Sequence, residues 1–156
     1  MRQDLVAAWN AAPEFKDIRY PGQGPSIEKV AEVLDAGEEV VCVIKCMHVE
    51  KKGMRAVTLK CVGVVTSKKI YMVKEGTFTK GLSAGAESVP LQTVTGISRK
   101  RQLGLGTVIE VSRANNTDQL VMCNEDHAAK WVEAAKASTE AVASGCLLYT
   151  SDAADE

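Results

Sequence analysis

Cysteine and histidine are the side chains most able to hold a metal or attack a substrate, and the chain has five of the first and two of the second. Cys42 and Cys46 fall four residues apart in a β-branched run, so their Cα atoms stand about 13 Å apart on an extended strand. Zinc–sulfur bonds of about 2.3 Å cannot close that gap, and the two cannot share one ion. Cys46 and His48 fall on one face of that strand, and Cys61 on the next could approach diagonally. No Cys-x-x-Cys pair supplies the usual chelating hook, however. Small apolar packing in a sheet is the expected role of these thiols, with a Cys/His metal or enzyme site on Cys46, His48 and Cys61 as the weaker alternative. His127, beside Asp126 in the first turn of a helix, reads as a solvated residue. No strained Gly-x-Ser-x-Gly elbow accompanies these residues. Gly104-Leu105-Gly106 lacks the third glycine and the strand-to-helix setting of a dinucleotide fingerprint, so it reads as a turn. Glu38-Glu39 and Glu125-Asp126 lie at element ends, where capping and solvation account for them. The chain is therefore expected to be no enzyme and to carry neither metal nor cofactor.

Basic residues gather at turns. Lys51, Lys52 and Arg55 surround the first, Lys68 and Lys69 the second, and Arg99-Lys100-Arg101 ends a later strand. Cations that converge can hold phosphate groups. Cations at turns also solvate a sheet and keep its edges from pairing. Over the whole chain, 19 bases face 20 acids, a net charge of -1. A dedicated nucleic-acid binder would show a basic excess, so nucleic acid is not an expected partner. No apolar run reaches the eighteen or so residues that cross a bilayer, and the first six residues lack a secretory apolar segment. The expected compartment is the cytoplasm, with a peripheral place at the membrane if the basic turns bind anionic lipid. With 156 residues and 46% apolar content, the chain fits one globular domain.

The elements that would position these residues come in two kinds. Residues 4–11 and 27–36 have helical spacing, the second behind Ser26 as N-cap and before Gly37. A loop is expected over residues 20–25 on Pro and Gly content. Strand signals then follow at 39–49, 56–66, 70–73, 88–91, 94–100, 108–111 and 119–123, with a Gly-rich loop over 75–85. In 56–66, Val57, Leu59, Cys61, Gly63 and Val65 alternate with polar Thr58 and Lys60, which predicts one buried face. After Asn124 the period changes to that of a helix over 125–142, with Ala128, Trp131, Val132, Ala135 and Val142 as its apolar stripe.

Seven strands and a final helix are the element order of the pleckstrin-homology-like superfold, and the local sequence resembles the bacterial, YokE-like pleckstrin-homology family. Three stretches carry this likeness: Leu34-Asp35-Ala36-Gly37-Glu38-Glu39-Val40, residues 63–73 (Gly-Val-Val-Thr-Ser-Lys-Lys-Ile-Tyr-Met-Val) and residues 89–97 (Val-Pro-Leu-Gln-Thr-Val-Thr-Gly-Ile). Ser67 replaces the family's usual Asp and Lys69 its frequent Arg. The resemblance implies a mainly β fold: a seven-stranded antiparallel barrel or sandwich (38–143), capped by a C-terminal helix and preceded by a helical extension (1–37). It implies Trp131 as the aromatic that plugs the barrel. It also implies a bacterial or phage binding or scaffolding module, with a protein partner or a second copy as ligand. Phosphoinositide-binding members use a basic first hairpin, and here Lys52-Gly53-Met54-Arg55 supplies one Arg without the usual doublet. Anionic lipid or phosphate held by Lys51, Lys52, Arg55, Lys68, Lys69, Arg99, Lys100 and Arg101 is the alternative.

Residues 146–156 resemble the translation of a transposase-type sequencing adapter, residue for residue. Residues 144–156 are accordingly expected to be a non-native or disordered tail, with the natural protein continuing beyond Gly145. The tail holds three acids and no base, so residues 1–145 carry 19 bases and 17 acids, a net charge of +2, with four cysteines. A chain that stops at Gly145 is expected to melt at the temperature of the full chain in scanning calorimetry. A substantial drop would show that the tail packs.

Overall fold

The β-branched run after Glu39 forms the longest strand, β1 (Val40–Lys52), which folds back as β2 (Arg55–Thr66) through a turn with Gly53 at φ +63°. The computed structural model describes residues 1–15, 24–75 and 85–155, with the side chains of Lys51, Lys52 and residues 145–155 outside that description. Most of the loops expected at 20–25 and 75–85 lie outside it too. β3 (Lys69–Glu75), β4 (Gly85–Pro90), β5 (Val94–Gln102), β6 (Gly106–Arg113) and β7 (Asn116–Cys123) complete one sheet, ordered β4-β3-β2-β1-β7-β6-β5. Every pairing is antiparallel. β4 and β5 are the two ends of this order, yet only a single 3-10 turn, Leu91–Thr93, joins them in sequence. The sheet must therefore curl until its edges are neighbours. They do not pair, so the expected barrel stays open.

The concave face holds the main core: Ile44, Val65, Ile70, Met72, Leu91, Ile109 and Leu120, closed by α3 (Glu125–Asp155). Asn124 Oδ1 accepts the His127 N–H at 3.0 Å and starts this helix as expected. Ala128, Trp131 and Ala135 are fully buried, and the small neighbours leave room for the indole. The backbone of α3 runs past residue 142, where the apolar stripe ends, and through the tail residues to Asp155. Trp131 Nε1 donates to the Gly63 carbonyl at 3.1 Å. A Cβ at Gly63 would meet Ile44, Leu120 and Trp131 at 3.2–3.3 Å, closer than carbon atoms normally pack. The missing side chain at Gly63 is what lets the ring reach the sheet.

The convex face has its own core. α1 (Gln3–Ala11) and α2 (Ile27–Val33) lay Leu5 and Val30 on Val43, Val62, Val64, Tyr71 and Val73. Ser26 caps α2 as predicted, and the helix ends at Val33, three residues early, because Leu34 turns extended. Trp9 and Phe15 stack at 4.0 Å against this face. Asp4 clasps the extension to the sheet by accepting the Val40 N–H at 2.8 Å, while Arg2 reaches the Asp35 carbonyl at 2.8 Å. The single buried face predicted for 56–66 is corrected here. Beyond Leu59, β2 is buried on both faces, because helices cover the side where Val62 and Val64 point.

The three stretches that carry the family likeness meet at one corner. Ser67 N–H donates to the Glu39 carbonyl (2.8 Å) and its hydroxyl accepts the Glu39 N–H (3.0 Å). Leu91 N–H donates to the Lys68 carbonyl (3.0 Å), and Thr66 Oγ1 caps the Lys68 and Lys69 N–H groups. Buried Glu38 accepts the Tyr71 hydroxyl at 2.7 Å.

Trp131→Ala should cost about 3–5 kcal/mol. Gly63→Ala, by overpacking the same contact, should cost about 1–3 kcal/mol. Lys130→Ala on the exposed face should stay within about 0.5 kcal/mol. Urea denaturation followed by far-UV circular dichroism measures all three. Equal, small effects would mean that α3 does not hold the sheet through this ring.

Candidate functional site

The β1–β2 turn, the end of β3 and the β6–β7 turn lie at the same end of the sheet, as the registers Lys60↔Glu75 and His48↔Leu120 require. There the curl brings five strands around a charged mouth. β1 contributes His48 and Glu50, β3 Lys74, β4 Glu87, β6 Arg113 and β7 Asp118. Asp118 lies 3.4 Å from His48 Nε2 and accepts from Arg113 at 2.9 Å. Arg113 also reaches Glu87 at 3.2 Å, an ion pair across the gap between the sheet's two edge regions. Lys74 binds Glu50 closely and stands 3.4 Å from Glu87. A carboxylate only accepts, so His48 Nε2 carries the proton toward Asp118. His48 Nδ1 is buried with no hydrogen-bond partner and faces a Glu50 oxygen at 3.9 Å.

Electrostatics follow from this packing. Burial works to raise the Asp118 pKa, but the hydrogen bond from His48 and the Arg113 charge outweigh it and hold the carboxyl below its ordinary range. Burial would lower Lys74, but Glu50 and Glu87 outweigh that and raise it. A cavity of about 600 Å³ opens beside the cluster, lined by Glu50, Glu87, Glu110 and Asp118 together with Ser112 and Thr117. Its wall carboxylates are paired with cations: Glu50 and Glu87 with Lys74, Glu87 and Asp118 with Arg113, and Glu110 with Lys100.

A second polar set lies where β1 parts from β7, which it pairs only at Met47 and His48. His127 Nε2 donates to the Val43 carbonyl at 2.6 Å, and Glu14 Oε2 accepts the Lys45 N–H at 3.3 Å. Both side chains fill the places that a longer β7 would occupy. The solvated reading of His127 is thereby corrected: it is 6% exposed and holds the helix to the strand. Cys42 Sγ lies 3.9 Å from the same nitrogen. Burial first, with the Glu14 charge added, pushes this thiol up to about 11. A nitrogen already donating to a carbonyl cannot take its proton, so the pair lacks the chemistry of a nucleophile.

The residues singled out from sequence are dispersed. Arg55 opens β2 and Lys68 and Lys69 follow its far end, about 36 Å away along an extended strand. Lys69 pairs with Asp35 at 2.8 Å and Lys68 is exposed. Arg99 is exposed on β5, Lys100 pairs with Glu110 at 3.4 Å, and Arg101 with Glu125 at 3.0 Å. Lys51 and Lys52 lie at the end of β1, their side chains outside the described residues. Cys46 contacts Cys61 and Cys123, while His48 turns instead to Asp118, so the trio Cys46, His48 and Cys61 is not assembled. Sequence reasoning missed the mouth. Its signal was charge inside strands, at Lys74 and Asp118, where the alternation asks for apolar residues.

A depressed Asp118 adds stability above the unfolded carboxylate pKa of about 3.9, and that stability is lost as pH falls through the lower folded value. Below about pH 4 the parent should therefore lose stability more steeply than Asp118→Asn, in urea titrations at stepped pH. Parallel curves would show that Asp118 is not held ionised by its partners.

No family model and no curated protein sequence matches the chain. Solved structures do. The linker-DH/PH domains of p115-RhoGEF superpose with a TM-score of 0.50 at 9% identity, covering 89% of this chain and 40% of that one. The DH/PH domains of PDZ-RhoGEF, solved in complex with GTP-γ-S-activated RhoA, reach 0.47 at 10% identity over 87% and 38%. The C-terminal domain of an unknown protein from Leishmania infantum gives 0.48 at 19% identity over 62% and 83%. The chain thus spans about two fifths of each RhoGEF structure. Strand order, final helix and the p115-RhoGEF likeness together show a pleckstrin-homology-like fold with an open seven-stranded sheet.

Proposed function

We propose that the chain is a non-catalytic binding module of the cytoplasm that takes an extended, acidic segment of a partner protein along the free edge of β5. One observation carries this reading. β5 ends the sheet and leaves Ser98 to Gln102 exposed, with Arg99, Lys100 and Arg101 in succession. A segment that joins such an edge gains main-chain hydrogen bonds, and the charges select its sequence. A second copy's β5 would bring a like triplet of cations, which disfavours self-pairing there. Placement among bacterial or phage YokE-like proteins rests on the three motif stretches and on the corner they form together.

A second reading is favoured at the first hairpin. Met54 is fully exposed at its tip beside Arg55, with Lys51 and Lys52 in the same hairpin. An apolar tip among cations suits an anionic lipid surface, where each basic residue is worth about 1 kcal/mol.

Selection of displayed random dodecapeptides on the immobilised protein should enrich acidic, β-branched sequences. Arg99→Glu should weaken the selected peptide at least severalfold in fluorescence anisotropy, and added salt should weaken the parent. Binders indifferent to Arg99→Glu, or no enrichment, would overturn the β5 reading. Flotation with acidic vesicles that is lost when Lys51, Lys52 and Arg55 are neutralised would favour the hairpin instead.

A further inference from the structure

We propose that His48, Glu87 and Asp118 form a binding site for a divalent transition-metal ion of the zinc class at the base of the barrel mouth. Three strands distant in sequence, β1, β4 and β7, bring one imidazole and two carboxylates together, with ligand atoms all within 4.8 Å of one another. His48 and Asp118 are 3% and 5% exposed, and Glu87 and Asp118 line the cavity that opens beside them.

Two geometric facts point to a metal. First, His48 Nε2 and Asp118 Oδ1 stand 3.4 Å apart. Two ligands of tetrahedral zinc, with bonds of about 2.0–2.1 Å, stand about 3.3 Å apart, so this edge of the site is already set. Glu87 brings the third ligand to within 4.8 Å of the other two, its carboxylate held by Arg113 at 3.2 Å and Lys74 at 3.4 Å. Second, the buried Nδ1 of the same ring has no hydrogen-bond partner and faces Glu50 at 3.9 Å. As the ring stands, Nε2 donates to Asp118, and Nδ1 faces the Glu50 carboxylate without a hydrogen bond. An ion that replaces the Nε2 proton reverses this. The ring keeps its one proton on Nδ1, where Glu50 accepts it, the carboxylate–histidine–metal arrangement common at zinc.

The surrounding charges fit. Arg113 holds Asp118 by Oδ2, leaving Oδ1 for the ion, and Lys74 and Arg113 steady Glu87 from two sides. Glu50, Glu87 and Asp118 against Lys74 and Arg113 leave one negative charge for a cation to offset. An imidazole in the set favours zinc, cobalt or nickel over magnesium or calcium. The site is independent of the β5 edge, and either can fail without the other.

The test is titration of metal-stripped full-length protein with zinc in competition with a chromophoric chelator. One ion should bind per chain, with magnesium and calcium failing to compete. Cobalt should give the intense visible bands of a tetrahedral nitrogen–oxygen site, without a thiolate charge-transfer band. Glu87→Gln should weaken zinc by about 10–100-fold, and Glu50→Gln, removing the carboxylate beside Nδ1, by about 10–100-fold, with circular dichroism as the check on folding of both. His48→Gln should abolish binding, with circular dichroism as the check on folding, while Cys46→Ser should bind like the parent. No binding by the parent overturns the site. So does binding that survives Glu87→Gln, or a thiolate band with cobalt, since either places the ion elsewhere.

Discussion

The contact of Trp131 with Gly63 is the constraint on which the rest of the architecture depends. A seven-stranded sheet that does not close needs something to set its curl, and here one indole seated on a bare stretch of β2 does so. The ring brings α3 against the middle of the sheet, and its buried N–H finds an acceptor in the Gly63 carbonyl. With the helix in place, the N-terminus of α3 lies where His127 can hold the freed carbonyl of Val43. One packing contact and one hydrogen bond thus fix the helix along two directions.

An open sheet has edges and seams whose polar groups must be met, and the chain meets them with side chains rather than strands. Glu14 of the extension and His127 of the helix serve opposite groups on β1 where β7 departs. Arg113 bridges to Glu87 where β4 and β6 face each other without pairing. The extension is part of the same solution. Without Leu5 and Val30, the convex face of β1, β2 and β3 would present Val43, Val62, Val64 and Val73 to water. That patch would be a liability for any monomer.

The charge pattern differs between the mouth and the strand edges. Carboxylates line the mouth, while Arg55 and Lys68 stand at opposite ends of β2 and Arg99, Lys100 and Arg101 follow one another on β5. Buried ion pairs of this kind add little net stability, since desolvation offsets much of the attraction. What they do is fix the positions of His48, Glu87 and Asp118 relative to one another.

The sequence by itself determined the elements and their order, because each rests on local chemistry. Ser26 and Asn124 cap helices, Gly53 turns a hairpin, and the shift of period after Cys123 marks the helix that carries Trp131. Its three motif stretches were readable because backbone turns need particular neighbours, and the fold joins them at one corner. Tertiary structure alone decided which faces are covered. A strand pattern tells how many faces are apolar only if both have the same partner, and β2 has a helix on each side. It also decided the mouth. His48, Lys74, Glu87, Arg113 and Asp118 come from five strands, and no spacing along the chain encodes their meeting. It follows from the curl of the sheet, a property of all seven strands and the ring that holds them.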